Sequence, residues 1–296
     1  MSERAGRVAI VGWTNVGKST LLNRLVGEKL AAVADVPQTT RHRIVGVLPV
    51  VGRGQIVFVD TPGFHRARER MNRALVESAR GALASVDLAL LVIDAFKGAG
   101  RGDADVARAI AAAGVPAIGV LNKIDRVTPK AKLLPLMKTV IDGWGLAEVL
   151  PVSSTTGEGR ELLIERIFHR LPVGPPLFED DVLTDQPERA LAAEWVREKI
   201  LHHTQEEIPH AAAVLVRRWL EREDGLVEIE AAIFVERESQ KGIVIGAGGA
   251  LLKRVGTEAR ADIETLLHRK VFLVLRVEVR PGWRNDPRSL GEFGIG

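Results

Sequence analysis

The sequence predicts an α/β chain: a mostly parallel sheet with helices on both faces, followed by a smaller α+β domain. Three observations carry this prediction. Short apolar runs recur through the first 170 residues, and amphipathic stretches lie between them. A segment rich in proline and acid, LPVGPPLFEDDVLTDQP at 171–187, then breaks the pattern. Beyond it the order changes to α-β-β-α-α-β. Alternating βαβα order implies an open sheet covered on both sides.

The elements follow in order. Residues 8–11, 56–59, 88–93, 117–121 and 149–152 are apolar runs of strand length. Such runs suit strands buried on both faces. A helix is expected over 20–25, and amphipathic helices over 73–85 and 103–113. Gly52-Arg53-Gly54 separates two apolar runs and marks a hairpin, so one edge strand should be antiparallel. Ligands in such sheets bind outside the carboxyl ends of the strands. The expected domains are 1–172 and 188–296, with 173–187 as a linker. In the second domain a helix is expected over 188–204. Strands are expected over 210–220 and 226–237, turning at Asp224-Gly225. A long helix over 250–267 and a strand over 271–279 complete it. Trp195 and Trp219 read as core, and Trp283 as a seal on the last strand.

Composition bounds the function. The chain has 296 residues, 46% of them hydrophobic and 27% charged, which suits two globular domains. It has no cysteine, which excludes disulfides, zinc thiolates and a cysteine nucleophile and fits a reducing cytoplasm. The polar start, MSERAGR, is not a signal peptide, and the longest apolar stretch, 109–121, is too short to span a bilayer. A cytoplasmic location is therefore expected. The net charge of +3 is a weak hint of a polyanionic partner.

Four motifs carry the chemistry. Gly12-Trp13-Thr14-Asn15-Val16-Gly17-Lys18-Ser19-Thr20 follows a strand and opens a helix, the setting of a phosphate-binding loop (P-loop). Its glycines turn backbone N–H groups toward phosphate oxygens. Lys18 neutralises the β and γ phosphates, and Ser19 can ligate Mg²⁺. Asp60-Thr61-Pro62-Gly63 ends the neighbouring strand. Alone it is a turn. Beside the loop, Asp60 is placed to hold Mg²⁺ through water, and the Gly63 N–H to contact the γ-phosphate. Asn122-Lys123-Ile124-Asp125 ends another strand. The Asp125 carboxylate can accept from guanine N1–H and N2, whereas adenine would leave it unpaired. Asn122 can brace the loop and reach the base, and the Lys123 stem can pack on the ring. Ser153-Ser154 should close over the base, although two serines after a strand are commonly just a turn. The nucleotide is therefore GTP or GDP, and hydrolysis of GTP is the expected reaction.

This order of motifs resembles the translation-factor-like GTPases. Pro37-Gln38-Thr39-Thr40-Arg41-His42-Arg43 resembles the first switch of the Era family, in the TrmE-Era-EngA-like group, whose members carry a C-terminal RNA-binding KH domain. The resemblance runs from Val8 to Gly282-Trp283-Arg284. It implies a P-loop GTPase domain followed by a type II KH domain, with slow intrinsic GTP hydrolysis. Lys18, Asn15, Thr39, Thr40 and Gly63 would form the catalytic set. Ser19, one of Thr39 or Thr40, and Asp60 would hold Mg²⁺. Many signalling GTPases place a water-orienting Gln after the DTPG glycine; here stands Phe64, which has no polar atom. Members of this group use an Asn in the loop to ligate K⁺, which the resemblance carries to Asn15; the alternative is that Asn15 only suits a tight turn. His65 and Arg66 read as a solvated switch loop with a catalytic alternative.

Gly246-Ala247-Gly248-Gly249 resembles the KH GxxG signature, where the backbone of single-stranded RNA approaches closely. Ile243, Ile245, Leu251 and Val255 would line the groove, and Lys241, Lys253 and Arg254 would meet phosphates. From Glu188 onward, however, 17 Lys plus Arg face 18 Asp plus Glu, so binding must come from a local patch. Two positions depart from the family: Ala247 stands where a Lys is usual, and Trp13-Thr14 where Arg-Pro is usual. The resemblance implies as partners the 3′ region of small-subunit rRNA and the 30S ribosomal subunit, for a monomeric protein. It also implies peripheral contact with the inner face of the cell membrane, although no amphipathic basic helix stands out. The competing readings are a P-loop small-molecule kinase, disfavoured by Asn122 and Asp125, and an RNA-binding module with a silent nucleotide site, disfavoured by Lys18, Ser19 and Asp60.

Overall fold

A computed structural model of the chain describes residues 3–36, 39–64 and 70–295. It divides into two compact units. The first comprises Met1–Ala31, Thr40–Arg68 and Asn72–Asp185; the second comprises Ala32–Thr39, Glu69–Met71 and Gln186–Gly296.

The first unit runs β1 (Arg4–Gly12), α1 (Lys18–Val26), β2 (Ile44–Val50), β3 (Gly54–Asp60), α2 (Arg70–Leu83), β4 (Leu88–Asp94), α3 (Arg101–Ala113), β5 (Ala117–Asn122), α4 (Leu133–Trp144), β6 (Val149–Pro151) and α5 (Arg160–Arg170). The sheet order is β2-β3-β1-β4-β5-β6. All neighbours pair in parallel except β2 with β3. The expected parallel sheet and its antiparallel edge strand are therefore both present. Gly54 closes the hairpin at φ +122°, and a Cβ there would strike the Arg4 carbonyl at 2.0 Å. The apolar runs explain the layering, because β4 is buried at every residue. One core lies on the α1 and α5 side of the sheet, around Ile10, Leu22, Phe58 and Phe168. The other lies on the α3 and α4 side, around Val11, Leu91, Val106 and Val140.

The proline-rich segment continues this unit as far as Asp185. Leu183 O accepts from Val47 N at 2.8 Å, and Thr184 Oγ1 donates to Val45 O at 2.6 Å. The buried Gln55 amide bonds the backbone of Leu177 and Phe178. These contacts occupy main-chain groups that β2 would otherwise leave open at the sheet edge.

The second unit runs α6 (Glu188–His203), α7 (Ile208–Ala211), β7 (Ala213–Glu221), β8 (Val227–Val235), α8 (Glu238–Ile245), α9 (Ala250–Leu267), β9 (Val271–Val279) and α10 (Pro287–Glu292). The sheet order is β7-β8-β9, with β7 antiparallel and β9 parallel to β8. Helices cover one face, and Val196, Ile233, Val244 and Val255 meet in its core. On the strands, Arg217 pairs with Glu278 at 2.7 Å and Arg276 with Glu230 at 3.5 Å. His210, expected in a strand, sits in α7. α10 was not expected; it is a single capped turn that starts where Asp286 accepts from the Arg288 and Ser289 amides. Trp195 is buried and Trp219 half-buried. Trp283 is fully buried, donates from Nε1 to Ala211 O at 2.9 Å, and meets Phe293 edge-on. No helix among the described residues is long and apolar enough to cross a membrane.

Candidate nucleotide site and nucleic-acid groove

The nucleotide motifs gather at the carboxyl ends of β1, β3, β5 and β6. The loop between β1 and α1 has little freedom. A Cβ on Gly12 would stand 2.5 Å from the Val92 carbonyl. Gly17 has φ +96°, and a Cβ there would be 2.4 Å from Asn122 Nδ2. Asn15 adopts φ +61°, a left-handed turn that Asn tolerates better than most residues. Lys18 is buried and donates to Trp13 O at 3.1 Å. Burial brings its pKa down to about 8, against the opposing pull of Asp60 and Asp103.

Three oxygen-bearing side chains converge behind Lys18. Ser19 Oγ lies 2.6 Å from Thr40 Oγ1 and donates to Asp60 Oδ2 at 2.8 Å; Thr40 Oγ1 donates to Asp60 Oδ2 at 3.3 Å. Asp60 is fully buried, and burial pushes its carboxyl up to about 6, opposed by Lys18 and by bonds from Ser19, Thr40 and the Thr61 amide. Its Oδ1 has no hydrogen-bond partner. An orphaned buried carboxylate oxygen beside two hydroxyls is the donor set a hard divalent cation takes, so these residues fit Mg²⁺. Thr39 is turned elsewhere. It belongs to the second unit, where Oγ1 donates to Val36 O at 2.6 Å and to Ala34 O at 3.2 Å. Arg197 donates to the Thr39 carbonyl.

Thr61 Oγ1 donates to Ile10 O at 3.1 Å, and Pro62 is buried. Gly63 rests against Thr14 and Lys18: a Cβ would be 3.0 Å from Nζ and 3.3 Å from Thr14 Cα. Phe64 has its side chain buried in the core, and its N–H donates to Gly12 O at 3.2 Å. Pro37, Gln38, His65 and Arg66 lie outside the described residues. Thr20 lines a hollow with Arg24, Lys29 and Ser154.

At the base end, Asn122 braces two loops. Nδ2 donates to Val16 O at 2.9 Å, and Oδ1 accepts from Ser154 N and Oγ at 3.0 and 2.8 Å. Lys123, at φ +63°, donates to Asn15 O at 2.7 Å and to Asp94 Oδ2 at 2.8 Å. Ser153 Oγ donates to Asp125 Oδ1 at 2.6 Å and so orients that carboxylate. Asp94 and Arg24 were missed. Asp94 ends β4 as Asp60 ends β3, and the same strand-end rule would have found it. Arg24 bonds Ser154 O and Thr155 O from α1, a long-range contact with no local signal.

In the second unit, Gly246, Gly248 and Gly249 between α8 and α9 take φ +73°, +58° and +80°. A Cβ on Gly246 would meet Leu251 Cβ at 2.8 Å. Ala247 lies within this turn. A groove beside it is lined by Gly249, Leu252, Lys253, Gly256, Thr257 and Arg260 of the turn and α9, and by Leu273 and Leu275 of β9. This lining and the expected set overlap only in part. Val255 is fully buried in the core, and Ile245 and Leu251 pack against it. Ile243 is exposed, and it and Lys241 lie on α8, outside the lining itself. Arg254 pairs with Glu258 at 3.0 Å. The reason is helical period: residues 249, 252, 253, 256, 257 and 260 share one face of α9, and 251, 254 and 255 do not.

Residues 7–123 match the family described as "50S ribosome-binding GTPase", and residues 207–284 the family described as "KH domain". The protein named GTPase Era of Geobacter metallireducens is 49% identical over 292 residues, spanning 98% of this chain and 97% of that protein. That of Stenotrophomonas maltophilia is 45% identical over 293 residues, spanning 98% and 96%. Two crystal structures share 38% identity with a TM-score of 0.96, each covering 99% of both chains. One is Era in complex with MgGDPNP and nucleotides 1506–1542 of 16S ribosomal RNA; the other is a point variant of Aquifex aeolicus Era bound to GDP.AlF4⁻.

Proposed function

This chain belongs to the Era family of GTPases, and from that membership we propose that it is a GTP-driven switch that binds the 3′ region of small-subunit rRNA and assists assembly of the 30S subunit. The carrying observation is the match along the whole chain to Era held on a 16S rRNA fragment with a GTP analogue. The proposed GTPase domain spans 1–172 and the RNA-binding domain 188–296, joined by 173–187.

Phosphoryl transfer to water needs positioning and charge neutralisation more than covalent chemistry. Lys18 and the amides of the loop from Gly12 to Thr20 are assigned to the phosphates. Ser19 and Thr40 are assigned as Mg²⁺ ligands, with Asp60 behind them. Thr40 is preferred to Thr39 because only its hydroxyl lies with Ser19 and Asp60. Bound there, the metal supplies positive charge to the phosphates. Gly63 offers its N–H at the γ-phosphate. Asp125 reads guanine, held by Ser153, while Asn122 and Ser154 fix its loop and Lys123 flanks the base. Phe64 is buried and apolar, so water must be oriented by backbone, a polar neighbour or a partner. Asn15 is proposed as a K⁺ ligand, its amide oxygen being a hard donor; bound K⁺ would supply the charge that other GTPases take from an arginine finger. The RNA contacts are assigned to Gly246–Gly249, to Lys253 and Arg260 along the groove, and to Lys241, Ile243 and Arg254 around it. Peripheral membrane contact is proposed only as the family's habit.

Sequencing RNA crosslinked to the full chain with a non-hydrolysable GTP analogue tests the partner. The 3′ end of small-subunit rRNA should dominate, and random recovery would remove the ribosomal assignment while leaving the GTPase standing. Turnover in KCl against NaCl at equal ionic strength tests Asn15. Faster turnover in KCl is expected, and equal rates would remove the K⁺ role.

A further inference from the structure

The phosphate loop carries one large side chain that phosphate binding does not explain. The Trp13 indole is half-buried and packs against both cores of the first unit. Its ring lies directly on Gly102, the second residue of α3. A Cβ on Gly102 would stand 2.4 Å from Cδ2 of the indole, 2.6 Å from Cε3 and 2.7 Å from Cε2. Separations that short do not occur, so a larger residue at 102 and the indole cannot both hold these positions. Gly102 lies in ordinary helical backbone, which any residue adopts. The indole, then, is what requires glycine there.

The Trp13 backbone faces the reacting end of the site. Trp13 and Phe64 form a parallel bridge, and the Phe64 N–H donates to Gly12 O. The Trp13 carbonyl accepts from Lys18 Nζ at 3.1 Å. Gly63, one residue before Phe64, rests against Thr14 and Lys18. One residue thus ties α3 to the lysine and glycine assigned to the γ-phosphate. The base-reading groups, Asn122, Asp125 and Ser153, are held through other contacts.

We propose that Trp13 is a positioning residue for GTP hydrolysis: its indole, seated on Gly102, fixes Lys18 and Gly63 at the γ-phosphate. A Cβ at 102 displaces the indole and with it the Trp13 carbonyl and the Phe64 bridge. The γ-phosphate end shifts while the base end stays. Misplacement of about 1 Å in such a site costs on the order of a hundredfold in rate. The inference rests on the assignment of Lys18 and Gly63 to the γ-phosphate, which Lys18→Ala tests separately through loss of GDPNP binding.

The experiment compares Gly102→Ala and Gly102→Ser in the full chain for kcat, GDPNP affinity, GDP affinity and unfolding midpoint. Both variants should lose about 10- to 100-fold in kcat and about tenfold in GDPNP affinity, the larger loss falling at the γ-phosphate end. GDP affinity should fall less than GDPNP affinity, because GDP keeps its base contacts and loses only the share of Lys18 that serves the β-phosphate. In Trp13→Ala/Gly102→Ala the new methyl has nothing to strike, so the pair should match Trp13→Ala alone. Unchanged kcat and GDPNP affinity would overturn the proposal. So would equal losses for GDP and GDPNP, or a Gly102 effect of full size without the indole. If the Gly102 variants do not fold, Trp13→Ala decides alone: loss of kcat with GDP binding kept supports the proposal, and parallel loss or no loss removes it.

Discussion

Asp60 and Lys18 share one buried site, and burial shifts each toward its neutral form. Asp60, pushed from 3.8 to about 6, keeps its proton in the folded chain at pH values where the unfolded chain has lost it. Its stabilising share is therefore full below about pH 4 and is lost as pH rises through 6. Lys18, brought from 10.5 to about 8, releases its proton earlier in the folded chain, so stability rises between pH 8 and 10.5. Each limb spans on the order of 3 kcal/mol in nucleotide-free protein. Urea unfolding in EDTA from pH 4 to 10 should show the acid limb in the difference between the unaltered chain and Asp60→Asn; a flat difference would refute it. At this scale the sequence was legible where one residue type suits one task, as with Lys18, Ser19, Asp60 and Asp125. It left Thr39 and Thr40 undecided, because adjacent identical side chains carry no signal about which one joins Ser19 and Asp60.

Among the elements, α9 supplies most of the lining of the groove beside the GxxG turn. Its apolar spacing predicted a helix, and Ala250–Leu267 is one. Which of its faces lines the groove was not legible, because local apolar character does not distinguish groove from core. Gly256 keeps the groove open: a Cβ there would lie 3.5 Å from Leu275 Cδ1, an ordinary contact. Gly256→Val should therefore fold, since the helical backbone accepts it, and fill the space between α9 and β9. RNA affinity should fall about tenfold or more, the loss of roughly one base contact, while RNA-free GTP hydrolysis stays unchanged. Filter binding of a 3′-end rRNA fragment, paired with a phosphate-release assay, reads both. Undiminished RNA affinity would place the RNA elsewhere.

Across the molecule, charge sets how RNA is held. The residues from Glu188 onward carry nearly equal numbers of acids and bases, and many of the arginines are already paired, as Arg217, Arg254 and Arg276 are. The groove itself offers Lys253 and Arg260. With these two and with Lys241 and Arg254 around the groove as the proposed phosphate contacts, the plot of log affinity against log salt should have a slope of about −2 to −3, and Arg260→Ala should make it shallower by about 0.7. A slope steeper than about −5 would mean that a larger basic surface takes part. Specificity must then rest on groove shape and backbone approach at the GxxG turn more than on bulk charge.

By itself the sequence determined the parallel sheet with its antiparallel edge, the separate second unit, the phosphate loop and the guanine preference. Each is written locally, in apolar runs of strand length, in glycines at fixed spacing, and in an acid at a strand end. Tertiary structure alone decided which threonine joins Ser19 and Asp60, which face of α9 opens as a groove, and why Gly102 is a glycine. Those answers depend on atoms from distant segments meeting within a few ångströms. Trp13 and Gly102 stand 89 positions apart in the chain, and only the packing of α3 against the phosphate loop puts one on the other.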